Sequence, residues 1–360
     1  MNIKLETLSS IHVGSGNELI EGQDFTVIHK DTDIIDVIDV NKLGQYIDKK
    51  YINNWVSMVN GGKAIGEILK MLAPGLDLAK CTKYSLDNFA GTVKPKEPMK
   101  EVIRDGRGLP YLPGSSIKGA IRTAVLGELA KKHASMINER NYKRFEKKVL
   151  GDNPYTDLFK FIQVGDAFFE GNESVIATRL GCLNLRKAKA DLHDGKIDQL
   201  IEAIRIQEKA SFSLKIDSER YQKVARQFPN LGELHECMLS IPSLFMTINR
   251  HTQQLVEDEI KRWESVEKLG AGAYIENMKD VLCEVNKCRE GKDCVLRIGA
   301  GSGWRFITGA WTESLDFFNT DVVPESRRFP ERYEDYFFPK TRRMEVDGDD
   351  VLGFVKLSTT

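Results

Sequence analysis

The chain has no hydrophobic run approaching the roughly 18 residues that a bilayer-spanning helix requires. Met1-Asn2-Ile3-Lys4-Leu5-Glu6 has no apolar segment of the signal-peptide kind, so a cytoplasmic protein with no membrane partner is expected. Cysteine is scarce. The six thiols, Cys81, Cys182, Cys237, Cys283, Cys288 and Cys294, form no CxxC pair, and no histidine lies near the last three. That pattern predicts reduced thiols in a reducing compartment, with no metal and no cofactor. No GxxxxGK[ST] is present, which removes an NTP-binding P-loop. Positive charge is not in excess either: 52 basic against 53 acidic residues leave a formal charge of −1. Nucleic-acid binding would therefore have to come from local clusters of Lys and Arg.

What is present is an ordinary globular composition, 41% hydrophobic and 29% charged, over 360 residues, a length that favours two domains. Ile3, Leu5 and Thr7 alternate with Lys4 and Glu6 as a strand should, and lead to Gly14-Ser15-Gly16. Runs at 25–28 and 34–38 predict a hairpin around a polar turn, with Asn41 capping a helix from Lys42. Residues 51–90 read as helix with breaks at Gly61-Gly62 and Pro74-Gly75. A short strand near Val102-Ile103 precedes Leu112-Pro113-Gly114-Ser115-Ser116, where a helix opens. In it Ile117, Ala120, Ile121, Ala124 and Val125 form one buried stripe. Strands are expected at 161–169 and 175–185, charged helix at 186–208, a strand at 210–216 and further helix over 218–290. Val295-Leu296-Arg297-Ile298 is a strand feeding Gly299-Ala300-Gly301-Ser302-Gly303. Irregular mixing of strands and helices, without βαβ alternation, predicts an α+β fold. The boundary is expected near 190, dividing the chain into 1–190 and 191–360.

Glycines at strand ends let bare backbone N–H groups approach an anion. The loop at 114 says more, because it starts a helix: Ser115 is expected as N-cap, and the helix N-terminus would face phosphate. Lys118 and Arg122 would add full charges, giving a salt-dependent affinity indifferent to sequence.

The run Tyr111-Leu112-Pro113-Gly114-Ser115-Ser116-Ile117-Lys118-Gly119-Ala120-Ile121-Arg122 resembles the PGSSxKGxxR signature of the RAMP superfamily of CRISPR proteins. Ile11-His12-Val13-Gly14-Ser15-Gly16 is similar to that superfamily's first-strand loop, and Arg297 to Trp304 to its C-terminal glycine-rich loop. Pro339-Lys340-Thr341-Arg342 with Leu352 to Leu357 is similar to the closing segment of the fifth-subunit family of type III-A Csm complexes. The resemblance implies a RAMP fold of two ferredoxin-like, RRM-related units with helical insertions. It implies a subunit that caps the 3′ end of the guide RNA (crRNA), with target RNA as a second candidate ligand. The implied protein partners are the repeating backbone subunit, the small helical subunit, and nucleases recruited for guide maturation. The implied RNA-contacting residues are His12, Gly14, Ser15 and Gly16; Gly114, Ser115, Ser116, Lys118, Gly119 and Arg122; and Arg297, Gly299, Gly301, Ser302, Gly303 and Trp304.

No catalytic residue is expected. Asp24 is the nearest counterpart of the backbone subunit's cleaving aspartate, but its surroundings, Gly22-Gln23-Asp24-Phe25, depart from that loop. His12 would serve a metal-independent endoribonuclease, yet no second histidine, tyrosine or lysine is set near it by local spacing. A protein-protein adaptor working through its charged helices is the remaining alternative.

Overall fold

The computed structural model describes residues 1–27, 33–185, 198–228, 230–266, 270–326 and 338–360, the side chains of 325 and 326 excepted. One sheet of five strands runs in the order Asp293–Arg297 (β13), Phe354–Thr359 (β15), Asn2–Thr7 (β1), Lys209–Ile216 (β12) and Ile162–Val164 (β8). β1 lies at its centre because Ile3, Leu5 and Thr7 are fully buried on one face while Asn2 and Lys4 point outward, the alternation read from sequence. A second sheet follows the path Gly14–Ile20 (β2), Pro98–Val102 (β6), Gln199–Ile204 (β11), Val175–Asn184 (β10), Thr82–Asn88 (β5), Ile34–Ile38 (β4) and Phe25–Thr26 (β3). Thr341–Glu345 (β14) also pairs with β10. Tyr111–Leu112 (β7) and Ala167–Phe168 (β9) make a two-stranded ribbon.

The helices are Val40–Gln45 (α1), Ile52–Asn60 (α2), Ile65–Leu72 (α3), Gly114–Lys132 (α4), Phe145–Leu150 (α5), Ser218–Gln227 (α6), Ile241–Ser265 (α7), Gly272–Asn286 (α8) and Val323–Ser326 (α9). α4 and α7 pack on each other and on β13, so the stripe Ile117, Ile121, Ala124 and Val125 enters the main core with Phe245 and Ile248. A second cluster is built around Val256, Trp263, Tyr274 and Phe354. An antiparallel five-stranded sheet, a second sheet that is antiparallel except for the parallel pairs β10–β5 and β11–β6, and covering helices make the expected α+β class. The expected boundary near 190 falls within 186–197, outside the described residues, and both sheets draw strands from both sides of it.

Several local expectations need correction. Thr82–Asn88 is a strand rather than the end of a helix, since Tyr84 and Leu86 alternate inward with period two. Gln199–Ile204 is a strand rather than charged helix; Glu202 hides it, being a buried charge at a sheet position. α1 is capped by Asp39, whose side chain accepts from the N–H groups of Asn41 and Lys42 at 3.0 and 3.1 Å. The 25–26/34–38 hairpin is present as an antiparallel pair, while its turn at 28–32 lies outside the described residues. No helix of the described residues is long and apolar enough to cross a membrane. All six cysteines are free.

Candidate nucleic-acid interface

Backbone hydrogen bonds tie the three glycine-bearing loops into one face. The His12 carbonyl accepts the Ala300 N–H at 2.8 Å, joining the first loop to the third. Gly353 donates to Ser10 at 2.9 Å and accepts from Ile298 at 2.7 Å, so the returning chain before β15 stitches the same two loops. On the other side Ile103 donates to Val13 at 2.8 Å and accepts from Tyr111 at 3.4 Å, which links the first loop to the strand entering α4. Gly299 has φ of +84°, and a Cβ there would lie 2.5 Å from the His12 carbonyl oxygen, so only glycine fits.

Beneath the first loop is a buried polar knot. His12 is 4% exposed, and its Nδ1–H donates to the Glu202 carbonyl at 2.6 Å. Burial holds the imidazole below its ordinary pKa, and Lys100 adds to this against the carbonyl hydrogen bond. The Glu202 carboxylate accepts from Tyr84 Oη at 2.8 Å, Val102 N–H at 2.9 Å and Arg104 Nη2 at 3.0 Å. His12 is thus a neutral strut under Gly14, not a group on the loop surface. Above it, Ser15 Oγ donates to Glu101 at 2.9 Å and accepts the Asn17 N–H at 3.0 Å, leaving Gly14 and Gly16 exposed.

At the second loop the helix begins at Gly114, not after Ser115. Pro113 occupies the cap position, its φ of −59° already suited to a helix entry, and no side chain caps it. Gly114 presses so closely on the chain at 164–165 that a Cβ would sit 2.3 Å from the Val164 oxygen. Its N–H donates to Asp166 Oδ1 at 2.7 Å, so the anion at the head of α4 is the chain's own. Ser115 and Gly119 are exposed, and Ser116 and Lys118 half-buried. The Lys118 ammonium has no ion-pair partner among the described residues. Burial lowers its pKa, with Arg122 also lowering it and Asp157 opposing. Arg122 points inward, meeting Glu146 at 2.8 Å and Asp157 at 2.9 Å over the Phe159 ring.

The third loop shows the same division. Arg297 is 4% exposed, lies 4.6 Å from the centres of both the Phe306 and Phe354 rings, and donates to the Leu352 carbonyl at 2.9 Å. Ser302 donates to the Gly299 carbonyl at 2.9 Å, and Trp304 packs against Phe318 and Phe338. Ala300 and Gly303 are exposed, with Gly299 and Gly301 half-buried. Motif arginines, His12 and Trp304 therefore shape the loops, while the loop backbones, Ser115 and Lys118 face outward. Asp24 stands apart from them, closing its own turn by accepting the Ile20 N–H at 2.8 Å.

An aromatic pair lies beside the head of α4: the motif run begins at Tyr111 and an expected strand contains Phe168, but nothing in the sequence brings the two rings together. Tyr111 and Phe168 stack with ring centres 5.3 Å apart, and the Arg107 guanidinium lies 6.0 Å over Phe168, which is 42% exposed. An exposed ring beside a cation can receive a base and a phosphate.

The RAMP superfamily matches residues 4–306 of the chain. The chain belongs to this superfamily. The CRISPR system Cms protein Csm5 of Methanocaldococcus jannaschii is 25% identical over 325 residues, covering 84% of this chain and 71% of that protein. The Streptococcus thermophilus protein of the same name is 34% identical over 87 residues, a local match covering 22% of this chain and 24% of that one. Among solved structures, T. onnurineus Csm5 superposes with a TM-score of 0.66 at 20% identity, over 98% of this chain and 99% of that one. A chain of a type III-A Csm–crRNA–target RNA ternary complex superposes with a TM-score of 0.72 at 22% identity, over 99% and 100%. These likenesses identify the fold as the RAMP arrangement of ferredoxin-like units with helical insertions. Among the described residues no group of three or more His, Cys, Asp or Glu side chains is placed to hold a metal ion.

Proposed function

We propose that this chain is a non-catalytic crRNA-binding subunit of a type III-A Csm effector complex, which caps the 3′ end of the guide and is needed for its maturation in antiviral defence. The observation that carries the reading is the α4 face: an unpartnered, half-buried Lys118 beside exposed glycine loops joined to one another by backbone hydrogen bonds. A cation held without a carboxylate, next to backbone that can approach closely, is suited to the sugar-phosphate chain rather than to any particular base. The sixteen loop residues named from the sequence divide accordingly in this proposal. Gly14, Gly16, Ser115, Lys118, Gly119 and the exposed backbone around Gly299, Gly301 and Gly303 contact RNA. His12, Ser15, Gly114, Ser116, Arg122, Arg297, Ser302 and Trp304 hold the loops in shape.

Sequence relatedness to Csm5 supports the choice of subunit. The proposed protein partners are the last repeating backbone subunit and the small helical subunit, with target RNA entering through the same assembly and nucleases joining during maturation. Chemistry by His12 is disfavoured by its position: a neutral imidazole under a loop reaches no ribose hydroxyl. Sequencing both ends of guide RNAs from wild-type and gene-deletion cells tests the proposal. Extended or heterogeneous 3′ ends with fixed 5′ ends are expected; a change confined to the 5′ end overturns the placement.

A further inference from the structure

Between Glu139 and Lys148 the chain carries five basic and two acidic residues, although its overall formal charge is −1. One of those carboxylates, Glu146, is engaged by Arg122 at 2.8 Å. Arg144, Lys147 and Lys148 line a cavity of about 1030 Å³, and all three are exposed without an ion-pair partner among the described residues. Asp152 is the one acidic residue among the described residues lining it, and its Oδ1 already accepts from Asn153 at 2.6 Å and Thr156 at 2.8 Å. The dipole of α5 explains cations in its last turn, Lys147 and Lys148. It opposes Arg144, which precedes the first turn. Three like charges meeting at one cavity repel one another unless an anion joins them.

On the loop whose Asp152, Asn153 and Thr156 line the cavity, Tyr155 is 85% exposed. The loop that carries it is fixed: Asn153 Oδ1 accepts the N–H groups of Tyr155 and Thr156 at 2.9 and 3.2 Å, and Gly151 packs against the Thr156 carbonyl. Arg122 clamps this loop and α5 to α4 through Asp157 and Glu146, one helical turn beyond Lys118. An acidic protein surface would answer the charges. An exposed ring on a fixed loop that borders a cavity lined by unpaired cations answers both halves of a single-stranded nucleotide, phosphate and base.

We propose that this cavity is a second RNA site, in which Arg144, Lys147 and Lys148 hold consecutive phosphates of single-stranded RNA and Tyr155 stacks one base. It rests on the α4 face being an RNA interface, and it extends the bound strand past Lys118. Fluorescence anisotropy on the full-length chain, with RNAs of about 6 and about 16 nucleotides, tests it. Arg144→Ala/Lys147→Ala/Lys148→Ala is expected to weaken the longer RNA by about tenfold or more. It should also reduce the slope of log K against log salt by about 2, at about 0.7 per phosphate contact, and leave the shorter RNA unchanged. Tyr155→Ala should weaken the longer RNA alone, without altering the slope. Unchanged affinity and slope in the triple variant, with Lys118→Ala still weakening the shorter RNA, would sink this site and leave the α4 reading standing. Displacement of a labelled poly-glutamate peptide from these residues, with RNA binding unaffected, would likewise overturn it in favour of a protein partner. If Lys118→Ala also had no effect on either RNA, the α4 reading itself would fail.

Discussion

Glu259 and Glu345 are both buried, at 0% and 6% exposed, yet their surroundings drive them in opposite directions. Glu259, on α7, accepts from Arg342 Nε at 2.6 Å, Arg342 Nη2 at 2.7 Å, Arg305 Nη1 at 2.7 Å and the Tyr274 hydroxyl. Burial alone would push its pKa up, but the two guanidiniums hold it well below the usual carboxylate range. Glu345, on β14, faces the hydroxyls of Ser10 and Thr178, its Oε1 without a hydrogen-bond partner among the described residues, and stands near Asp350 and Asp347; burial pushes it up to about 7. The same residue type is a fixed charge in one region and a titrating group in the other, because two arginines converge on the first and, among the described residues, none pairs with the second. The pattern bears on function. Arg122, Arg297, Arg305 and Arg342 are engaged within the fold beside the candidate interface, so the charge they carry is not what a polyanion meets first; Lys118 and Arg144 have no such partner among the described residues.

The sharpest way to break this contrast is to remove the anion of the first region. Glu259→Ala would leave Arg342 buried without a counter-charge among the described residues and Arg305 with Glu313 at 2.6 Å as its remaining close partner, so the tie from α7 to β14 is lost and that to the third loop weakened. A loss of about 3–5 kcal/mol is expected in urea unfolding. Glu259→Gln, which keeps the shape but not the charge, should lose stability in the same direction. A change below about 1 kcal/mol would mean that the guanidiniums are held by the rest of the fold.

The second region is sharpened by pH. In the unfolded chain the Glu345 carboxyl ionises near 4.5, but in the native state only near 7. Between those values the native protein keeps a proton that the unfolded chain releases, so this group's contribution to stability falls as pH rises through the window and levels off above it. Up to about 3 kcal/mol is at stake. Buried His12 and His251, whose pKa values are lowered, add stability over the same rise in pH, so the test is a difference: the change in unfolding stability from about pH 5 to about pH 8 should be more positive in Glu345→Gln than in wild type by up to about 3 kcal/mol. A Gln variant with an unaltered pH profile would assign the dependence elsewhere.

These two regions also mark how far the sequence could be read. Alternation at Ile3, Leu5 and Thr7, the stripe on α4 and the strand before Gly299 were legible because local period decides them. The strand at 199–204 was not, since Glu202 looks like a surface residue until Tyr84 of one strand and Val102 N–H and Arg104 at the end of another close around it from about 100 residues or more away in sequence. The candidate interface was legible as a set of loops. Which of its side chains face outward was not, because Arg122 meets Asp157 and Arg297 meets two aromatic rings only after the chain has folded.

That division between inward arginine and outward lysine yields the smallest expected effect and the one closest to function. Arg122 and Lys118 lie one turn apart on α4 and belong to the same motif, yet one meets two carboxylates and the other none. Arg122→Ala should reduce stability by about 1–2 kcal/mol, by leaving Glu146 and Asp157 without their partner. With the protein still folded, it should change the affinity for a short RNA by less than about twofold, because the guanidinium contacts no phosphate. Lys118→Ala should leave the urea midpoint where it is, since no native partner is lost. Its RNA affinity should fall by about threefold to tenfold, roughly 1 kcal/mol, with the salt slope shallower by about 0.7. The two variants therefore exchange places between an unfolding curve and a binding curve. If Arg122→Ala instead lost affinity and salt dependence while keeping its stability, the ion pairs with Glu146 and Asp157 would have to open when RNA binds, and the arginine would move from scaffold to contact.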